Sequence, residues 1–375
     1  MAFRFIHTAD WQLGKPFGQI AGDAGAALRM QRVGTVRRIA ELAAERQADA
    51  VLVAGDAFDD NGVSDRVMLQ ALEALRPFAG PWVFLPGNHD AALAHSVWTR
   101  LRALGLPGNV LIADEPRPLS AWGGRATVLP APLRRRHEAQ DLTGWFDAAP
   151  TPEGSVRVGL AHGSVANRLP EKGEAGHEIA DDRADRAGLS YLALGDWHGA
   201  LNIAPRTWYS GAPEPDRHKA NDSGNVQLVT LDGPGAPGRV ETLAVGHFCW
   251  VRLDVECLGT CEPALQAMDR LAGEHRACVV MLRLTGSVSL AERDRLAREL
   301  GRWEARLHHL DVDDAGLVDD PTPDDLDALD TAGFVRLAVD RLRATAQDPR
   351  DPGQAAARTA LRMIYLDHLR AGRAA

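Results

Sequence analysis

The chain lacks most of what marks a membrane or secreted protein. No apolar run approaches the roughly 18 residues needed to span a bilayer. The opening Met1-Ala-Phe-Arg-Phe-Ile-His7 enters a strand pattern at once, with neither an apolar leader core nor a small-residue cleavage site. Cysteine is scarce. Cys249, Cys257, Cys261 and Cys278 all fall in the second half and form no C-x-x-C pair, so they read as reduced packing residues rather than zinc ligands or a disulfide framework. A cytoplasmic location, with no membrane contact, is the expectation. Positive charge is also in deficit: the net charge of −9 argues against broad attraction to nucleic acid, which depends on Lys and Arg neutralising phosphates. Any such binding has to be local, metal-assisted or shared with a partner. No Gly-x-x-x-x-Gly-Lys-Ser/Thr segment is present, so ATP hydrolysis would have to come from elsewhere.

What is present is alternation of short apolar strands with amphipathic helices, and 375 residues are enough for about two domains and an appendage. Phe3–Ala9, Ala50–Ala54, Trp82–Leu85, Val156–Ala161 and Tyr191–Leu194 read as buried strands of an α/β layered domain. Leu28, Val36, Ile39, Ala40 and Ala43 recur at helical spacing, which predicts a helix over Gly25–Gln47 lying on the sheet, and Asp65–Phe78 predicts another. From Trp250 a βαβαβ order follows, ending in a short strand over His308–Val312. Residues 311–330 carry nine aspartates and two prolines, the composition of a linker or solvated loop. Helices over Asp327–Gln347 and Pro352–Ala371 close the chain. The expected domains are thus 1–246, a small cap at 247–315, and an acidic linker with a helical tail at 316–375.

The chemistry is carried by polar motifs placed just after predicted strands: Asp10-Trp-Gln12, Gly55-Asp56-x-x-Asp59, Gly87-Asn88-His89-Asp90, His162-Gly163 and Gly195-Asp196-Trp-His198. In an α/β sheet the carboxyl ends of strands converge on one edge, so distant residues meet there. Carboxylates, an amide and imidazoles gathered at one edge form a metal site. Each motif alone is weak; the ordered set is not.

The set resembles the calcineurin-like metallophosphoesterases. Within them, His7-Thr-Ala-Asp-Trp-Gln-Leu-Gly14, the Gly-Asp-x-Phe-Asp form at 55–59 and Tyr209-Ser-Gly-Ala-Pro-Glu214 resemble the SbcD-like DNA repair exonucleases. The resemblance implies an α/β fold in which a two-sheet sandwich is flanked by helices and followed by a βαβαβ cap and C-terminal helices. It implies one metal ion on Asp10, Gln12, Asp56 and His198, and a second on Asp56, Asn88, His162 and Asp196, with Asp56 shared. Two cations about 3.5–4 Å apart bind phosphodiester oxygens and offset charge on the attacking and leaving groups. His89 then stands nearest the leaving group, its ring oriented by Asp90 or Asp59. Gln12 and Asp196 depart from the family pattern, which has histidines there. Replacing two imidazoles by oxygen donors favours Mn²⁺, or Mg²⁺, over Zn²⁺.

The substrate is a separate question. Arg217 and His218 are the expected substrate contacts, because they follow closely after the last metal motif. Arg134-Arg-Arg-His137, Arg168, Arg183 and Arg186 are further phosphate-binding candidates. The leading reading is a nuclease acting on DNA with an SbcC-like coiled-coil ATPase, and the resemblance implies a two-fold homodimer. A small-molecule phosphodiesterase or phosphomonoesterase and a catalytically weakened DNA-binding scaffold stand as the alternatives.

Overall fold

The computed structural model describes residues 2–169, 177–219, 221–271, 275–327, 329 and 334–374. Two compact units are present, one of residues 1–216 and 220–248, the other of 217–219 and 249–375.

The first unit opens with β1 (Phe3–Thr8), α1 (Gly22–Glu45), β2 (Ala50–Val53), α2 (Asp65–Ala74), β3 (Trp82–Phe84), α3 (Val97–Leu104) and β4 (Val110–Ile112). It continues through β5 (Ala126–Ala131), β6 (Val156–His162), the short pair β7 (Ser164–Val165) and β8 (Glu178–Ile179), α4 (Arg183–Arg186) and β9 (Tyr191–Gly195). It ends with β10 (Leu201–Ala204), β11 (Thr207–Tyr209), β12 (Asn225–Leu231) and β13 (Arg239–Ala244). Six strands form one sheet in the order β13-β12-β1-β2-β3-β4, and five form another in the order β10-β11-β9-β6-β5.

Within each sheet the strands that lead to polar motifs run parallel: β1, β2 and β3 in the first, β6 and β9 in the second. Parallel strands covered on both faces are apolar throughout, which is why β2 is the uninterrupted Ala-Val-Leu-Val. Phe5, Leu52 and Val83 of one sheet pack with Val128, Val158 and Ala193 of the other to make the central layer. Val36, Ile39, Ala40 and Ala43 of α1 pack with Met68 and Ala71 of α2 on the outer face of the first sheet. The expected sandwich is therefore present, and α1 lies where its periodicity put it.

In the second unit β14 (Cys249–Leu258), α5 (Glu262–Asp269), β15 (Cys278–Val288), α6 (Leu290–Glu304) and β16 (His309–Asp319) form a βαβαβ unit whose three strands are all parallel. Its core joins Val280, Leu282 and Leu284 to Met268, Leu296, Leu300 and Trp303. The helices α7 (Pro323–Asp327), α8 (Phe334–Gln347) and α9 (Gln354–Ala374) follow, sharing a small core of Leu326, Val339, Ala357 and Leu361. One element differs from its reading: the acidic stretch begins as strand, not loop. β16 is an edge strand, so Asp311, Asp313 and Asp314 reach solvent while Leu317 turns inward. Charged side chains on an exposed strand edge also discourage pairing with another chain. The expected helix over Asp327–Gln347 is described from Phe334 onward; residues 328 and 330–333 lie outside the described residues.

Candidate metal centre

Five strand ends of the first unit deliver the site. Ala54 N–H donates to the Thr8 carbonyl (2.8 Å) and Asp10 N–H to that of Gly55 (3.1 Å), which ties the chain leaving β1 to the chain leaving β2. From the other sheet, Asp196 N–H donates to the Asp10 carboxylate at 3.1 Å, and His162 Nδ1–H donates to the Ala54 carbonyl at 2.8 Å. The closeness demands glycine. A Cβ at Gly87 would lie 2.2 Å from Asp56 Oδ1, and one at Gly55 would lie 2.2 Å from His162 Nδ1.

Backbone strain marks the same place. Asp10, Gln12, Asp56 and Asp196 have φ of 54°, 42°, 53° and 98°, in the left-handed region that non-glycine residues enter at a cost of about 1 to 3 kcal/mol each. Four such residues at the strand ends turn their side chains toward one another against local preference. Part of that cost is offset by Arg32, a buried residue on α1. Its guanidinium donates to the carbonyls of Trp11 (2.6 Å), Glu214 (3.2 Å) and Asp10 (3.3 Å), holding the Asp10–Gln12 turn from behind.

Asp10, Asp56 and His162 are buried, and each offers a ligand atom within 4.8 Å of the others. His162 Nε2 lies 3.5 Å from Asp56 Oδ2 and 3.9 Å from Asp196 Oδ1. It also lies 2.8 Å from Asn88 Oδ1. In the ion-free protein both ring nitrogens carry protons, Nδ1–H donating to the Ala54 carbonyl and Nε2–H to the Asn88 oxygen, so an ion that replaced the Nε2 proton would meet the nitrogen and the amide oxygen together. A ligating histidine typically has this arrangement, its other nitrogen donating to a main-chain carbonyl. The electrostatics agree. Burial pushes the Asp10 carboxyl up to about 7, opposed by His198 and His162 and reinforced by Asp56 and Asp196. Burial acts downward on His162, but Asp56, Asp10 and Asp196 outweigh it and raise that imidazole to about 9. The residues therefore fit a divalent cation: the cluster is short of positive charge and its lone pairs converge.

His89 stands beside this group, with Nε2 4.0 Å from Asp56 Oδ2. Its ring is oriented by Asp59, but through the main chain, Nδ1–H donating to the Asp59 carbonyl at 2.7 Å. The Asp90 carboxylate does not serve the ring. It accepts from Gly87 N–H (2.7 Å) and Phe58 N–H (3.1 Å), fastening the loop that carries Asn88 and His89. Burial, followed by the nearby Asp56, pushes its carboxyl up to about 7. A carboxylate so enclosed is better at accepting main-chain amides than at reaching a neighbouring ring, which corrects its expected role.

The expected substrate contacts Arg217 and His218 belong to the second compact unit, where the His218 ring lies against Trp250, centroids 4.9 Å apart. Within the first unit Arg183 is buried and paired with Asp141 (2.7 Å) and Asp147 (2.8 Å). Arg134 and Arg135 do line an open cavity of about 490 Å³ beyond the end of β5, with Trp145 and Gln140. Three residues that sequence reasoning passed over complete the site. Besides Arg32, Lys15 Nζ donates to Gln12 Oε1 (3.0 Å) and pairs with buried Asp216. Arg32 had a signal: it falls four residues from both Leu28 and Val36, on the inward face of α1.

A helix-flanked two-sheet sandwich with buried carboxylates and imidazoles at its strand ends defines a metal-dependent phosphoesterase. The family model for calcineurin-like phosphoesterases matches residues 3–198, and the chain belongs to that family. It is similar to the SbcD component of the SbcCD nuclease of Rhodobacter capsulatus, 27% identical over an alignment 321 positions long that covers 72% of this chain and 76% of that protein. A DNA double-strand break repair protein of Methanosarcina acetivorans is 21% identical over 68% of this chain and 41% of its own length. The uncharacterized metallophosphoesterase YhaO of Bacillus subtilis is 25% identical over 52% of this chain and 48% of its own.

Proposed function

We propose that this chain is a two-metal nuclease that hydrolyses phosphodiester bonds in DNA, with Mn²⁺ as its working ion. The observation that carries the reading is the convergence of Asp10, Asp56, Asn88, His162, Asp196 and His198 on one edge of the sandwich through strained turns. Asp56 is the shared ligand, Asp10, Gln12 and His198 complete one position, and Asn88, His162 and Asp196 complete the other. Divalent ions bound there supply the charge that offsets the phosphodiester oxygens and the acidity that makes water a nucleophile. The chain's own residues do the rest. Asp59 and Asp90 fix the loop of His89, so that Nε2 is the ring atom placed to give a proton to the departing oxygen. Arg134 and Arg135, beside their cavity, suit a phosphate backbone. The names of the relatives support DNA as substrate. The name of the Rhodobacter capsulatus relative, one subunit of a nuclease, supports work with a second subunit, which on this reading is an SbcC-like coiled-coil ATPase, in the cytoplasm.

The net charge of −9 favours a second reading, a small phosphodiester substrate. Purified protein with Mn²⁺ should cleave linear DNA faster than a bis-nitrophenyl phosphodiester. Asp56→Asn should abolish both activities and His89→Gln should lower DNA cleavage by about 10² to 10⁴, with circular dichroism unchanged. Cleavage of the small ester alone would select the second reading, and full activity in both variants would remove the mechanism.

A further inference from the structure

The two amides of the centre have different partners. Asn88 Oδ1 faces His162 Nε2 at 2.8 Å, so the oxygen and the ring nitrogen both point into one position. At the other position a lysine engages the amide oxygen. Gln12 Nε2 lies 3.4 Å from His198 Nε2, while Gln12 Oε1 accepts from Lys15 Nζ at 3.0 Å. An ammonium has only hydrogens to offer, so it fixes which end of the amide faces it: the oxygen turns to Lys15 and the N–H₂ toward His198. Within the side chain of Gln12 the oxygen is the atom able to ligate a metal ion, and Lys15 already donates to it. Asp216, whose side chain is 2% exposed against 23% for Lys15, anchors the ammonium in turn, and its other oxygen lies 3.7 Å from His198 Nδ1.

We propose that Lys15 is a positioning residue that weakens the Asp10–Gln12–His198 position for divalent ions, by orienting the Gln12 amide away from it and by adding a positive charge beside it. The two ions then bind in sequence. The first enters at Asp56, Asn88, His162 and Asp196, and the second enters only at higher concentration or when a phosphate brings further negative charge. The inference rests on the proposed metal centre.

Titration of the full chain with Mn²⁺ alone, followed by calorimetry and by the electron paramagnetic resonance of bound ion, separates the two ideas. Wild-type protein should take up one ion tightly and a second roughly tenfold or more weakly, the scale on which groups behind a ligand act. Lys15→Met should tighten the second ion by a similar factor and leave the first unchanged, Gln12→His should do the same, and Lys15→Arg should keep the inequality. Two ions of equal affinity in the wild type, or a second ion indifferent to Lys15→Met in protein with wild-type circular dichroism, would overturn the role of Lys15 while leaving the metal centre intact. Uptake of no ion at all would overturn both.

Discussion

The two units use aspartate in opposite ways. In the first, Asp10, Asp56, Asp90 and Asp196 are buried at strand ends, three of them ligand candidates and the fourth a main-chain clamp. In the second, Asp311, Asp313 and Asp314 stand in solvent along β16. A buried carboxylate is costly unless paired or hydrogen-bonded, so burial of several around one point requires compensation that the fold has to supply. The first unit supplies it with amides, imidazoles and a backbone held at positive φ; along β16 the second leaves Asp311, Asp313 and Asp314 in water. Position in the sheet, rather than residue type, decides which of the two an aspartate becomes.

Breaking that compensation should produce the largest effect on stability. Arg32 braces the Asp10–Gln12 turn through three main-chain carbonyls, and Arg32→Met fills similar space without satisfying them. Unpaired buried acceptors cost roughly 1 to 3 kcal/mol each, and partial relaxation should leave a net loss of about 3 kcal/mol, read from the denaturant midpoint. A midpoint shared with the wild type would mean that the turn holds itself.

Much of this contrast was legible in the order of residues alone. The strand-end motifs stood out because a parallel sheet brings its carboxyl ends together whatever the separation in sequence, and α1 was given by Leu28, Val36, Ile39 and Ala43. The individual roles of polar groups were not. Asp59 orients His89 with its carbonyl and Asp90 serves amides rather than the ring, a distinction that depends on which atom lies nearest. Lys15 meets Asp216 across 201 residues, a pairing without local signal. The acidic run misled because solvated strand and solvated loop share a composition, and only pairing with β15 separates them.

The contrast can be sharpened by pH. In the ion-free protein Asp10 sits at about 7 and His162 at about 9, so near neutrality both hold protons that an incoming ion has to displace. Proton competition weakens with rising pH. Apparent Mg²⁺ affinity should therefore increase from about pH 6 toward pH 9, by up to roughly tenfold per unit for each proton released, or about 1.4 kcal/mol. Calorimetry in buffers of different ionisation enthalpy would count the protons directly, and a pH-independent affinity with none released would show that the cluster is already charged as the ion needs it.

The smallest effect is expected where the comparison says carboxylates are idle. Asp313 on β16 pairs with Arg283 at 3.4 Å, both side chains about half exposed (47% and 54%). Exposed ion pairs contribute about 0 to 1 kcal/mol because water already solvates each charge and salt screens the rest. Asp313→Asn should shift stability by no more than about 0.5 kcal/mol and leave Mn²⁺ uptake untouched. A loss several times larger would mean that the β16 edge carries a structural charge network, and the division between used and unused aspartates would then have to be redrawn inside the second unit itself.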